Sequence, residues 1–145
     1  MQIIDKKGNV YGASEGFQVT KSSPTVVTNS DGSVSKILVS VIATESISKY
    51  DVVTTSGEKA SSSNDLHKNK ILGVATETIP PGQSGTVQTY GDMDNALWSW
   101  TSMTPIFLNG TTISGAAPST GFVIPLGKMR NATRIFIDIG TPIKL

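Results

Sequence analysis

The sequence predicts an all-β protein: an antiparallel β-sandwich or barrel-like domain built from two similar β units and preceded by an extended N-terminal arm. Three observations predict it. Short runs rich in β-branched residues recur at close intervals, divided by Gly, Pro and Ser breakers. No window of helical length carries the i, i+3, i+4, i+7 apolar spacing of an amphipathic helix. The composition is lean in both core and charge, with 37% hydrophobic, 6% aromatic and 16% charged residues. Ser, Thr and Gly fill the difference, which suits strands and turns and leaves room for neighbouring copies to complete the burial. A chain of 145 residues is the length of one ordinary domain.

Residues 1–35 read as an extended arm or stalk, with a floppy terminus as the alternative. Turn-rich clusters, Asp5-Lys-Lys-Gly-Asn9, Ser22-Ser-Pro24 and Asn29-Ser-Asp-Gly-Ser33, separate apolar dashes as short as Val26-Val27. The Asp31-Gly32 pair marks a hairpin turn within it. The β domain is expected over 36–145. Its first strand, Lys36-Ile-Leu-Val-Ser-Val-Ile-Ala43, has the blurred alternation of a strand buried on both faces. Asp51-Val-Val-Thr-Thr55, the run 70–79 and the run 84–91 follow, broken at Ser56-Gly57 and Pro80-Pro-Gly82. Asn95-Ala-Leu-Trp-Ser-Trp100 is read as a strand that carries both tryptophans on one face. Pro105-Ile-Phe-Leu108, the run 122–127 and the run 133–139 complete the set, the last with Ile135, Ile137 and Ile139 on one side.

An offset of about 54 residues lays the chain over itself. Val53 then falls on Phe107, and Leu72-Gly73 falls on Leu126-Gly127. This predicts an internal repeat, 51–91 and 105–140, each copy holding a strand, a loop, a strand with a Leu-Gly step, a turn and a further strand. The glycine of each step is expected at a bulge or a close backbone approach.

A net charge of +1 with scattered basic residues predicts no nucleic-acid footprint. No run approaches about 18 apolar residues, so no membrane span is expected, nor a signal peptide. The chain has no Cys, which removes disulfides and thiolate chemistry. His67, the sole histidine, lies in a polar loop and is expected to be solvated. Ser33-Val-Ser-Lys36 and Ser46-Ile-Ser-Lys49 repeat the Ser-x-x-Lys spacing, but beside strands, where the two side chains point apart. Asp92, Asp94 and Asn95 sit in an expected loop, without the Gly and distal Glu that a calcium loop needs. Asn109 and Asn131 open Asn-x-Thr triplets, relevant only to a glycosylated chain. No paired carboxylates stand out for acid–base work. The expectation is a protein that is not an enzyme, with no catalytic residues, cofactor or metal. Trp98 and Trp100 are then the candidate site: packing residues within the chain or across a subunit boundary, or, as the alternative, a platform for a host surface glycan.

The order of elements from Ser46 onward resembles small structural proteins of tailed bacteriophages. The residues that carry it are Ser46-Ile-Ser-Lys-Tyr-Asp-Val-Val-Thr54, Asn69-Lys-Ile-Leu-Gly-Val-Ala75, Ser84-Gly-Thr-Val87, Leu97-Trp-Ser-Trp100 and Pro105-Ile-Phe-Leu-Asn-Gly110. Pro118-Ser-Thr-Gly121, Leu126-Gly127, Ile135-Phe-Ile-Asp-Ile139 and Pro142-Ile-Lys-Leu145 complete it. The likeness covers roughly the last hundred residues and is to capsid decoration, head-fibre and tail-fibre domains, those of crAss-like phages included. It implies an antiparallel β domain on the virion surface, capsid or tail. It further implies self-association as a homotrimer and attachment to other virion proteins through the N-terminal arm.

Overall fold

The computed structural model describes residues 24–101 and 104–145; the greater part of the expected arm therefore lies outside the described residues. The fold is all-β, antiparallel and sandwich-like. Eleven strands are present among the described residues: β1 (Thr25–Thr28), β2 (Val34–Ile42), β3 (Val52–Thr54), β4 (Ile71–Ala75), β5 (Ser84–Asp94), β6 (Pro105–Asn109), β7 (Thr112–Ser114), β8 (Phe122–Val123), β9 (Pro125–Asn131), β10 (Arg134–Asp138) and β11 (Ile143–Lys144). A 3-10 turn, Asp65–His67, is capped by Asn64, whose side chain accepts the Leu66 N–H.

The sheet reaches further toward the N-terminus than residue 36. β1 and β2 form a hairpin about the Asp31-Gly32 turn, where Asp31 accepts the Ser33 N–H at 2.9 Å and its hydroxyl at 2.6 Å. The strand buried on both faces is also not β2, whose residues are mostly half-buried or exposed. It is β3, buried at every position.

The organising element is β5, 11 residues long. Along one edge it pairs with β2. Along the other, its first half pairs with β4 (Val74 opposite Gln88) and its second half with β10 (Ile137 opposite Gly91). The sheet therefore forks at β5 into a β3–β4 branch and a β10–β9–β6–β7 branch. Both branches contribute to the larger core, where Val52 and Val74 from the first cluster with Ile106, Leu108, Leu126, Ile135 and Ile137 from the second and with Phe122 of β8. The other face of the β3–β4 branch fills a second core of Val41, Ala43, Ile47, Val53, Ala75, Ile79 and Val87. Alternation along β3 explains the division, since Val52 enters one core and Val53 the other.

The two Leu-Gly steps occupy matching places. Val53 pairs with Gly73 and Thr54 with Ile71, so Leu72 is the extra residue of a bulge. Ile106 pairs with Gly127 and Phe107 with Pro125, so Leu126 is the extra residue of the other. A Cβ on Gly73 would run into the Gln88 carbonyl, and one on Gly127 into that of Phe136. Gly127 also holds φ at +143. Close approach to the next strand is thus why glycine follows leucine in both.

Candidate functional site

The stretch that holds Trp98 and Trp100 is not a strand. β5 ends at Asp94, and Asn95 turns the chain: its Oδ1 accepts the Leu97 N–H at 2.9 Å, and its carbonyl accepts the Trp98 N–H at 3.0 Å. Asn is a natural turn former because its side chain imitates a backbone carbonyl. The segment then lies along the β9–β10 turn, with the Asn95 N–H donating to Thr133 O and the Trp100 N–H to Ala132 O, both at 2.9 Å. Turn geometry, not strand alternation, brings the indoles together.

Their ring centroids are 5.7 Å apart at 45°. Tyr50 joins from the β2–β3 connection, 5.2 Å from Trp98 at 56°, and its hydroxyl donates to the Asp94 carbonyl at 2.9 Å. All three rings pack on the larger core and are half-buried. Trp100 Nε1 is buried without a hydrogen-bond partner among the described residues. Leu97, at the tip of the turn, is 91% exposed. Tyr50 is held at φ +75, a left-handed conformation that costs a non-glycine residue about 1–3 kcal/mol. Its ring contact, its hydroxyl bond and its N–H donated to Ala75 O at 2.9 Å over-determine that conformation. Both ring pairs are tilted rather than stacked or edge-on, and all three rings lie against buried residues of the larger core.

Asp92 and Asp94 lie in β5 and not in a loop. Each is bound by an arginine, Asp94 by one on the adjacent β10 and Asp92 by one on β9 beyond it. Arg134 grips Asp94 through Nε at 2.7 Å and a terminal nitrogen at 3.2 Å; Arg130 Nε reaches Asp92 at 3.0 Å. Arg134 beside Asp94 holds that carboxyl below the usual carboxylate range, and Asp94 in turn raises Arg134. Arg130 also lies 4.5 Å from the centre of the Phe136 ring, which meets Tyr90 edge-on at 5.1 Å. This outer face of β5, β9 and β10 is a ladder of paired charges over two half-buried rings. Among the described residues no group of three His, Cys, Asp or Glu side chains is placed to hold a metal ion.

His67 is buried, at 6% exposure, rather than solvated. Its Nδ1 accepts the Ser61 N–H at 3.0 Å, which leaves the ring proton to Nε2; Nε2 lies 3.4 Å from Glu58 Oε1 and 3.3 Å from Asn64 Nδ2. The histidine pins the loop that leads from β3 to β4. Neither Tyr50 nor the Arg130–Phe136–Tyr90 ladder stood out in the sequence. The only signal for the latter is the alternation of Arg134, Phe136 and Asp138 opposite the Ile face of β10. No protein-family model, no curated protein and no solved structure matches this chain.

Proposed function

We propose that this chain is a non-enzymatic structural protein of a phage virion, decorating the capsid or forming a head-fibre or tail-fibre domain, and that it acts by β assembly into a homotrimer. The observation that carries the assembly half of this reading is the β1–β2 hairpin. Val26, Val27, Val34 and Ile42 are 50%, 37%, 43% and 55% exposed, and Val26 and Val27, neighbours in one strand, point to opposite faces. β1 is the edge strand of the sheet, paired on one side with β2, and an edge strand with apolar side chains open on both faces gains burial and strand pairing from neighbouring copies. The arm that precedes it attaches the assembly to other virion proteins. The virion assignment rests on the resemblance of the ordered motifs from Ser46 onward, with the all-β fold in keeping with it.

Immunoelectron microscopy with an antibody raised against the chain tests the location. Labelling of intact particles is the expected result; label confined to the lysate, with bare particles, contradicts the assignment. A host-glycan reading of Trp98 and Trp100 predicts instead that oligosaccharides quench tryptophan emission. The tilted, half-buried packing of the two rings predicts that they do not.

A further inference from the structure

The β6–β7 hairpin turns on Gly110-Thr111, with Asn109 opposite Thr112. Asn109-Gly110 is the only Asn-Gly pair in the chain. In such a pair the backbone nitrogen of the glycine can attack the asparagine side chain, because no Cβ shields it. Here both polar groups of Gly110 are held by one residue. The Gly110 N–H donates to Ser62 Oγ at 2.8 Å, and the Ser62 N–H donates to the Gly110 carbonyl at 2.8 Å. Ser62 is itself only 2% exposed, and its carbonyl accepts the Phe122 N–H at 3.0 Å. The Asn109 side chain is tethered as well, its Nδ2 donating to the Ala116 carbonyl at 3.1 Å.

We propose that Asn109 is a self-modification site, a latent deamidation centre that Ser62 keeps closed. In the reaction the Gly110 nitrogen loses its proton and bonds to Asn109 Cγ, the Cγ–Nδ2 bond breaks, and ammonia leaves behind a five-membered imide. Water then opens either carbonyl of that ring, yielding aspartate or its isomer with the main chain routed through the side chain. The fold opposes the first step at both atoms. The nucleophilic nitrogen must give up its bond to a buried hydroxyl, and the leaving amide must quit Ala116. Asn109 is also held in strand pairing with Thr112 at the end of β6. Release of residues 60–64 from the hairpin removes the clamp. Deamidation then places a carboxylate, or an extra methylene in the main chain, next to Leu108, which is fully buried in the larger core. Local opening of this loop is thereby recorded as a permanent chemical change.

Peptide mass spectrometry of the full-length chain, incubated in mildly alkaline buffer, tests this. The native protein should deamidate at Asn109 at least about tenfold more slowly than the same chain in denaturant, the scale set by losing one buried hydrogen bond. Ser62→Ala, checked for folding by circular dichroism, should accelerate the native reaction by a similar factor, while Asn29-Ser30 in the distant β1–β2 turn keeps its rate and serves as the internal reference. Equal native and denatured rates at Asn109 would overturn the proposal whether or not the variant folds. So would a folded Ser62→Ala protein that deamidates no faster than the parent.

Discussion

Tyr50 shows how one residue can join distant parts of this chain. Its left-handed backbone is strained, yet its hydroxyl closes the end of β5 and its ring supports Trp98. Tyr50→Phe keeps the ring and loses the hydrogen bond to Asp94 O, and should lower unfolding stability by about 1 kcal/mol in a urea titration. His67→Ala should do more, about 2–3 kcal/mol, because it removes a buried ring and leaves the Ser61 N–H without its acceptor. The Asp94–Arg134 pair gives a pH signature. The folded-state pKa of Asp94 is depressed, so its contribution is present above the ordinary carboxylate value and is lost as pH falls through the folded one. The pair is exposed, so the contribution is small. Asp94→Asn should lower stability slightly at neutral and alkaline pH and leave it unchanged in acid below the folded-state pKa, so the loss on acidification is slightly flatter, as thermal melts across pH would show. None of these roles is legible from residue type. His67 reads as a loop residue because its loop is polar, and only the fold reveals that Ser61 and Glu58 close over it. Asp92 and Arg130 lie far apart in sequence and meet only through the register of β5, β10 and β9.

At the scale of elements, periodicity and punctuation locate most strands. The apolar runs beginning near 36, 51, 70, 84, 105 and 133 all contain strands, because β-branched residues bounded by Gly, Pro and Ser leave few other choices. The Trp98–Trp100 stretch fails as a strand because Asn95 can satisfy the Leu97 N–H locally, and a turn then wins over extension. β7 and β11, at three and two residues, are too short to give a period. The matched bulges at Leu72-Gly73 and Leu126-Gly127 are the most specific element that sequence comparison exposed, and they were visible because only glycine fits against the next strand's carbonyl. Gly127→Ala, which adds both a clash with the Phe136 carbonyl and an unfavourable φ, should destabilise by about 3 kcal/mol. Gly73→Ala, at an ordinary φ but with an equally close carbonyl at Gln88, should cost somewhat less. Urea midpoints of the two variants measure the order.

The whole molecule divides its apolar surface unevenly. Two cores fill both faces of the β3–β4 branch, whereas the β1–β2 hairpin leaves valines open on both of its own. Composition already hinted at this, since 37% hydrophobic residues must serve two cores and a ribbon. The fork of the sheet at β5 was not legible, because nothing in a sequence says that one strand changes neighbours halfway along its edge. If copies of the chain cover the hairpin, then charges placed there should separate them. Val26→Asp with Val27→Lys should leave the far-ultraviolet circular dichroism unchanged and reduce the solution mass to that of one chain.

Light scattering of the unmodified full-length protein, with its concentration varied, tests assembly most directly. A homotrimer has a mass near three times the 15.3 kDa of one chain, stable on dilution. A single-chain mass at every concentration would contradict it.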